Sequence, residues 1–459
     1  MNMKMNGRSM VWLLLPTLAL GACDHKAREE GAAGPAFAVD GKPDDGNALA
    51  ARHIISYTAE GEEKWLFTFP TCLPSCTSAD VKANQTEGFV ESRILSTIQN
   101  AEVSLEFAMF TFSRQPIFQA LLAAAKRGVK IRGIVDKGQF NSLEPLCPLG
   151  QCTFGEPFSS EGYLNGTLEQ REQLAAATTE YKKGSISEKL ALLFYRLPNG
   201  SGVKTAPGKD KLVHHKMVRV DGTVLLTGSG NWSSTAVSVN MENLGRFSSD
   251  KDPAVVQAFG CAFEAIWGGN SQTLGKDTIA CLTDRVFFTP IADARKGILP
   301  RLLQAIDSAA QTIDIAMHHL VHPDIFAHLE GALDRGAHLR LLVDNDDCPA
   351  ELEPEVESLL KKGTEIRYMP TNCAIFQLSH NKFGIFDGTK VINGSANWSK
   401  AGLNSNYENF FILTEPSDVT PFVQFFTQGW DVAQVRSECT CEKTDPECRK
   451  RYCLDQQFN

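Results

Sequence analysis

The chain carries one arrangement of catalytically capable residues twice: His-x-Lys, four residues, Asp, six residues, Gly-Ser-x-Asn. Every gap is identical in the two copies, and in each copy a Glu lies 28 residues after the His. Cleaving a phosphodiester without a metal requires a nucleophile, a proton donor for the leaving alkoxide, and positive charge near the non-bridging oxygens. Two imidazoles can divide the first two tasks, while lysines supply charge and asparagines supply neutral donors. The copies are His214, Lys216, Asp221, Gly228, Ser229, Asn231 and Glu242, then His380, Lys382, Asp387, Gly394, Ser395, Asn397 and Glu408.

This duplicated motif resembles that of the phospholipase D superfamily, whose paired motifs meet at one phosphodiesterase site. The resemblance implies that one His forms a covalent phosphohistidine and the other acts as general acid, then as base for the attacking water. We expect His214 to be the nucleophile and His380 the acid, and the pseudo-twofold symmetry leaves the reverse open. Glu242 and Glu408 would each hold an imidazole by accepting its second N–H. No metal or other cofactor is implied.

The remaining motif residues are expected to bind phosphate or to shape the backbone. Asp221 and Asp387 are each followed by Gly, which predicts hairpin turns and a structural role. Trp232 and Trp398 follow the motif Asn residues, and bracing the loop is favoured over stacking on substrate. The residues expected at the substrate phosphate are Lys216, Ser229, Asn231, Lys382, Ser395 and Asn397.

Three further histidines lie outside the motif. They follow the first strand of the second half, where the corresponding first-half residues are Phe110, Thr111 and Arg114. Because the repeat does not require His there, we expect a structural role rather than contact with substrate or a metal. These residues are His318, His319 and His322.

An internal repeat extends beyond the motifs. A constant offset of 208 carries Asp136 onto Asp344, and each block reads as strand, helix, strand. This pattern predicts an α/β fold with a mixed or largely parallel sheet in each half. The family resemblance implies two similar phospholipase D-like α/β/α halves, with mixed sheets packed around one shared active site. Since one chain holds both motifs, a monomer is expected. The predicted organisation is a signal peptide at 1–22, a flexible tether at 23–60, a first phospholipase D-like domain at 61–270, a second at 271–438, and a Cys-rich tail at 439–459.

The motif offset is only 166, so the first half carries 42 additional residues between Asp136 and His214. This insertion includes Cys147, Cys152 and a polar helical stretch around Leu168 to Leu193. Two interpretations remain open: a lid or wall of the substrate groove, or a surface excursion with no substrate role.

The N-terminus has the features of an export signal. Lys4 and Arg8 precede an apolar run that is too short to span a bilayer, and the sequence Leu-Gly-Ala before Cys23 resembles a bacterial lipobox. We expect an exported, membrane-anchored bacterial lipoprotein, acylated at Cys23, on the periplasmic or cell-surface side. The alternative is a plain cleaved signal. Residues 24 to about 60 lack hydrophobic periodicity and predict a spacer.

Export favours disulfides among the 12 cysteines other than Cys23. Cys72 with Cys76, and Cys147 with Cys152, are the expected close pairs. The terminal group could alternatively bind zinc, but it lacks paired C-x-x-C spacing. Its members are Cys439, Cys441, Cys448 and Cys453.

The substrate class is divided between two candidates. A net charge of −9, the expected acyl anchor and the absence of a long Lys/Arg-rich segment favour phospholipid. The motif sequence Gly-Ser-x-Asn-Trp-Ser resembles that of the nuclease-like branch of the superfamily, which favours DNA or RNA as the substrate. A transferase resembling cardiolipin synthase is disfavoured because no transmembrane helices follow the signal. A non-catalytic binding module is disfavoured because both copies keep His and Lys. We therefore expect phospholipase D-type hydrolysis of phospholipid headgroups, with a membrane-anchored endonuclease as the alternative.

Overall fold

Two mixed β-sheets form the folded body. The structure is a computed structural model, and among the residues it describes no helix is long and apolar enough to cross a bilayer. The predicted signal, Cys23 and the terminal cysteines lie outside the described residues. The described residues are 54–57, 63–70, 72–73, 76–87, 89–140, 143, 153–208, 211–269, 274–344, 353–372 and 375–435.

The first sheet has the strand order β1-β2-β8-β7-β6-β3-β4-β5. Strands β3, β4 and β5 run parallel to one another, and the other neighbouring pairs are antiparallel. The strands are β1 (Ile54–Tyr57), β2 (Glu63–Phe67), β3 (Ser104–Met109), β4 (Lys130–Val135), β5 (Gly202–Thr205), β6 (Lys216–Val220), β7 (Val224–Gly228) and β8 (Asn243–Ser248).

The second sheet repeats this topology in the order β12-β11-β10-β13-β14-β15-β9. Its β10, β11 and β12 are parallel, and the rest are antiparallel. The predicted fold class is confirmed: an α/β fold with two similar halves and mixed sheets. The strands are β9 (Val286–Thr289), β10 (Thr312–Met317), β11 (His338–Val343), β12 (Glu365–Tyr368), β13 (Lys382–Phe386), β14 (Lys390–Gly394) and β15 (Glu408–Leu413).

Helices cover both sheets. The first-half helices are α1 (Ser78–Glu87), α2 (Phe89–Gln99), α3 (Gln115–Lys126), α4 (Glu161–Leu164), α5 (Leu168–Ala176), α6 (Thr179–Lys183), α7 (Ile186–Leu193) and α8 (Pro253–Gly268). The remaining helices are α9 (Leu274–Ile279), α10 (Ile298–Ser308), α11 (Pro323–Asp334), α12 (Glu353–Lys361), α13 (Lys400–Asn404) and α14 (Pro416–Val432).

The two halves share a central hydrophobic core. Side chains from both sheets and from α8 and α14 belong to one buried cluster. At its centre the Phe247 and Phe411 rings stack with centroids 5.2 Å apart and planes 6° apart. Because this cluster draws on both sheets, burial of its apolar surface holds the halves together.

The folded body begins earlier than the sequence predicted. Strand β1 lies inside the segment 23–60 that was expected to be a tether, and Ile54 pairs with Phe67 of β2. The reason is local: Ile-Ile-Ser-Tyr is rich in β-branched and aromatic residues, although it is too short to show periodicity. The predicted boundary between 270 and 271 falls at residues outside the described ranges and stays a prediction.

The described helices of the insertion belong to the outer layer of the first half. Leu168 and Leu190 lie in the same core cluster as α3. Thr167 and Ser185 begin α5 and α7 with capping boxes, which explains why this polar stretch forms separate short helices. Their packing favours the surface interpretation for these helices. Cys147 and Cys152 lie outside the described residues.

Two disulfides are present in the described part of the chain. The predicted Cys72–Cys76 pair is confirmed, with Cα atoms 4.7 Å apart. Cys261 of α8 is joined to Cys281, which follows α9, a pair that the sequence did not predict. These bonds fix two connections outside the sheets.

Asp221 and Asp387, for which the sequence predicts a structural role, both bind backbone N–H groups. Each occupies a left-handed turn, with φ of 51° and 49°, respectively. Asp387 accepts hydrogen bonds from the backbone N–H groups of Ala310, Gln311 and Thr312, at 2.7 to 2.9 Å. Asp221 binds the equivalent segment before β3 in the same way. Each motif hairpin is thus tied to the strand beside it.

Replacing Asp387 with Ala is expected to lower the free energy of unfolding by about 1 to 3 kcal/mol. The change leaves three N–H groups without their acceptor. It also places Ala in the left-handed region, which Asn and Asp tolerate better. The urea midpoint measures it. Asp387→Asn, which keeps an oxygen acceptor and tolerates this φ, is the matched control and should lose less. Equal midpoints for Asp387→Ala and the unmodified chain would contradict the assigned role.

Candidate active site

The strands deliver each motif to the same end of its sheet. Lys216 is the first residue of β6 and pairs with Met109, the last residue of β3. Lys382 begins β13 and pairs with Met317 at the end of β10. Each His therefore lies just beyond the carboxyl end of a parallel strand. In open α/β sheets this end is where ligand sites form.

Two buried aspartates fix the chain ahead of each His, a role that the sequence did not predict. Asp136 follows β4 and accepts a 2.9 Å hydrogen bond from the Val213 backbone N–H. Asp344 follows β11 and accepts from the N–H of Ser379. The signal was present in the repeat, because the offset of 208 carries one Asp onto the other. Their partners could be identified only in three dimensions.

The glutamates are exchanged between the halves. His214 Nδ1 lies 2.9 Å from Glu408 Oε2, and His380 Nδ1 lies 3.0 Å from Glu242 Oε2. All four side chains are at least nine-tenths buried. With Nδ1–H donated to a carboxylate, Nε2 of each imidazole is left for chemistry. In neither half does the Glu bind the His of the same half, so the site requires both halves.

Backbone contacts reinforce this exchange. His214 N–H donates to the carbonyl of Tyr407 at 3.0 Å, and His380 N–H donates to that of Met241 at 2.9 Å. Each motif His is thus hydrogen-bonded through both its backbone and its side chain to the opposite half. We infer that relative displacement of the halves would misalign both imidazoles together.

Ser229 and Ser395 bind the glutamates. The Ser229 hydroxyl donates to Glu242 at 2.6 Å, and that of Ser395 donates to Glu408 at 2.5 Å. Both serines are fully buried, so in this structure their hydrogens are directed at carboxylates rather than at a phosphate position. Their predicted phosphate contact stays a prediction, and the structure adds an orienting role.

The Gly before each Ser permits this packing. A Cβ on Gly228 would lie 2.0 Å from the carbonyl oxygen of Asn243, and one on Gly394 would lie 2.2 Å from that of Asn409. Only glycine allows the motif loop to approach the strand carrying the Glu so closely.

The two lysines are buried beside the imidazoles. Lys216 Nζ donates to the His214 carbonyl at 2.8 Å, and Lys382 Nζ donates to that of His380 at 2.5 Å. Burial lowers the pKa of Lys216 to about 8 and that of Lys382 to about 7, although the site glutamates oppose the change. Each ammonium retains two N–H groups for an anionic oxygen.

The imidazoles are neutral in the substrate-free site. Burial lowers the pKa of His214 to about 4, even though Glu408 acts in the opposite direction. Burial and the charge of Lys382 lower the pKa of His380 well below its ordinary value. A neutral imidazole is the form that a nucleophile needs. Entry of an anion would favour protonation of the partner His, as a general acid requires.

The motif asparagines and tryptophans take different positions. Asn231 Oδ1 accepts from the Thr111 N–H at 3.4 Å. Among the described residues, the buried Oδ1 of Asn397 has no hydrogen-bond partner. Trp232 is 2% exposed and packs edge-on against Phe112, with centroids 5.0 Å apart, and Trp398 is 1% exposed. Burial of both indoles supports the predicted bracing role.

Side-chain hydrogen bonds among asparagines and one histidine also join the two halves next to the site. Asn243 Nδ2 donates to Asn381 Oδ1 at 2.7 Å. At the pseudo-symmetric position, Asn409 Nδ2 lies 3.0 Å from His215 Nδ1. The residue after each motif His thus contacts the residue after the Glu of the opposite half. Sequence analysis missed these pairs, because it predicted a role for each Glu but none for the Asn that follows it.

Of the three additional histidines, His318 belongs to the site. Its ring centroid lies 5.0 Å from that of His380 and 3.9 Å from that of His319. His322 lies at the N-cap of α11 and is 3% exposed, in keeping with the predicted structural role. The expectation of a structural role for all three did not foresee that His318 lies against the imidazole of a motif His.

A family model described as "Cardiolipin synthase, PLD-like domain" matches residues 94–267 and 302–430, which include both motifs. The chain belongs to this phospholipase D-like family. The mitochondrial cardiolipin hydrolase of Chlamydomonas reinhardtii is 29% identical over 134 residues, covering 29% of this chain and 58% of that protein. The chain thus matches less than two thirds of that relative's length.

One solved structure shares the fold of most of the chain. Phosphatidylserine synthase from Haemophilus influenzae Rd KW20 has a TM-score of 0.56 and 9% identity, covering 80% of this chain and 90% of that one. Nuc from Salmonella typhimurium, a phospholipase D family member, is 26% identical with a TM-score of 0.28, covering 33% of this chain and 97% of that one. The first of these supports the two-half architecture of the phospholipase D-like family member described here.

The lysine pKa values predict an alkaline limit on substrate capture. As pH rises through about 7 to 8, Lys382 and then Lys216 lose the charge that attracts an anionic phosphodiester, so kcat/KM should fall. Bound phosphate stabilises the ammonium, so the limb in kcat should lie at higher pH. Profiles of both parameters from pH 5 to 10 measure this.

The matched variant is Lys382→Arg. A guanidinium stays protonated across this range, so the limb in kcat/KM should move to higher pH even if turnover falls. An unchanged limb would show that a different group sets it.

Proposed function

We propose that this protein is a phosphodiesterase that acts without a metal through a phosphohistidine and hydrolyses phospholipid headgroups. The observation that carries the proposal is the exchanged His–Glu pair of each half beside a buried lysine. It supplies a neutral nucleophile, a proton carrier and cationic charge in one place.

The reaction has two displacements. His380 takes a proton from solvent at Nε2 when the anionic substrate binds. His214 Nε2 then attacks phosphorus, the P–O bond to the headgroup breaks, and His380 gives that proton to the departing alkoxide. Water then attacks the N–P bond of the phosphohistidine while His380 takes the proton from that water. The products are the headgroup alcohol and a phosphatidate, and both imidazoles return to their starting state. Lys216 and Lys382 offset charge on the non-bridging oxygens in both steps.

Three observations support a lipid substrate. The family model and the curated relative are both named for cardiolipin. The net charge of −9 is unfavourable for general binding to polyanions. Exposed apolar side chains also flank the site: Leu212, 36% exposed, lies two residues before His214, and Phe376, 61% exposed, lies four before His380. Exposed apolar groups this close in the chain to the two histidines suit contact with a lipid surface.

The membrane anchor at Cys23 is part of the proposal. It would place the site beside its substrate on the exported face of a bacterial membrane. Cys23→Ser should shift the protein from the membrane fraction to the soluble fraction, and continued full partitioning with membranes would remove the lipoprotein hypothesis. One chain holds both halves of the site, so we propose that the monomer is active.

The alternative is an anchored endonuclease, favoured by the motif wording Gly-Ser-x-Asn-Trp-Ser. Turnover of phosphatidylcholine or cardiolipin vesicles and of single-stranded DNA should be measured side by side with EDTA present. His214→Ala is the inactive control. Headgroup or phosphatidate release that vanishes in the variant supports the lipid hydrolase. DNA cleavage with inert vesicles would replace it with the nuclease.

A further inference from the structure

The two halves differ in the residue that lies against each catalytic imidazole. Phe110 and His318 occupy corresponding positions directly after β3 and β10. The Phe110 ring lies 5.0 Å from that of His214 with planes at 63°, and the His318 ring lies 5.0 Å from that of His380 at 65°. The two ring contacts have the same geometry, but the neighbouring ring is apolar beside His214 and polar beside His380.

The His214 side is apolar. Phe110 offers neither a hydrogen-bond donor nor a lone pair to solvent, and Lys216 Nζ lies 5.4 Å from its ring centroid. A water molecule next to His214 would therefore lose hydrogen bonds on that side. This environment protects a nucleophilic nitrogen from competing solvent.

The His380 side is polar. His318 is 8% exposed and lies beside His319. Burial, together with positive charge from its neighbours, lowers the pKa of His318 well below its ordinary value, so its imidazole is neutral. A neutral imidazole presents one N–H donor and one lone pair, which can hold an alcohol or a water molecule.

We propose, resting on the proposed function, that His318 is a positioning residue that holds the leaving-group oxygen and then the attacking water beside His380. His380 thereby acts as the acid and base, and His214 acts as the nucleophile. The pseudo-twofold symmetry of the motifs leaves these roles interchangeable, and the Phe110/His318 difference removes that ambiguity. His318 neither attacks phosphorus nor transfers a proton to the leaving group, and it does not carry the phosphoryl group.

The test separates formation of the phosphohistidine from its hydrolysis. With bis(p-nitrophenyl) phosphate, the first p-nitrophenolate leaves with little need for an acid, so its rapid release reports attack by the nucleophile. Steady-state release then reports hydrolysis. For His318→Phe, which copies the first half, the formation rate constant should stay within about threefold, whereas the steady-state rate should fall roughly tenfold or more. Mass spectrometry of quenched enzyme should locate the phosphoryl group on His214.

Two further variants complete the design. His318→Asn restores a donor and an acceptor, so it should recover part of the hydrolysis rate, which a purely space-filling role would not predict. His328→Phe is the matched control, since His328 is a partly exposed residue of α11 paired with Asp307, and it should behave as the unmodified enzyme.

The outcomes distinguish this inference from the proposed function. Unchanged rates in His318→Phe, equal losses in both phases, or an adduct on His380 would overturn the positioning role. Full turnover by His214→Ala would instead overturn the phosphohistidine mechanism itself.

Discussion

Replacing His214 with Ala is expected to abolish the phosphoryl adduct and to lower turnover by on the order of 10³-fold or more. The variant removes the attacking nitrogen, and no substrate, however good its leaving group, can compensate for that loss. Burst kinetics with bis(p-nitrophenyl) phosphate and turnover of a phospholipid should therefore both fail. Circular dichroism should be unchanged, because the remaining contacts between the halves are numerous.

His380→Ala is the informative partner of that variant. A poor leaving group such as a choline alkoxide needs a proton, so phospholipid turnover should fall by roughly 10²- to 10⁴-fold. A p-nitrophenolate leaves without one, so the adduct should still form and then persist. If His380→Ala lost the burst and His214→Ala kept it, the two assigned roles would have to be reversed.

The second large effect is expected from the exchanged glutamates. Glu408→Gln should slow formation of the adduct by roughly 10²- to 10⁴-fold, because a neutral amide no longer holds His214 in the tautomer with Nε2 unprotonated. Glu242→Gln should instead slow breakdown of the adduct, because Glu242 orients His380. The measurements are burst and steady-state rates for each variant.

The result that would contradict the crossed arrangement is specific. If each Glu served the His of its own motif copy, Glu242→Gln would impair formation and Glu408→Gln would impair hydrolysis. Glu169→Gln is a suitable control, since Glu169 is an exposed residue of α5 in the outer layer, and it should leave both rates unchanged.

Much of the fold could be predicted because the sequence contains an internal repeat. The constant offset of 208 identified equivalent strands, and the Asp-Gly pairs identified hairpins that the structure contains. The short strand β1 escaped prediction because four residues carry too little periodicity. Cys261 and Cys281 escaped because disulfide pairing depends on packing of α8 against α9, which spacing does not reveal.

The candidate site was predictable in composition but not in connectivity. A spacing of 28 residues separates each His from the Glu of its own copy, yet the hydrogen bonds join His214 to Glu408 and His380 to Glu242. Such a crossing follows from how two sheets face each other, which no local pattern encodes. The same limit hid the hydrogen bond of Asp136 to Val213 and the contact of His318 with His380, because these partners are distant in the chain.

The crossed pairs also have a consequence for the time at which activity can begin. During synthesis the first half emerges with His214 in place, but its partner Glu408 lies 194 residues further along the chain. A nascent or truncated chain therefore holds an imidazole that nothing orients, and hydrolysis must wait until nearly the whole protein has been made and folded. An incomplete chain on the ribosome would thus not hydrolyse nearby phosphodiesters.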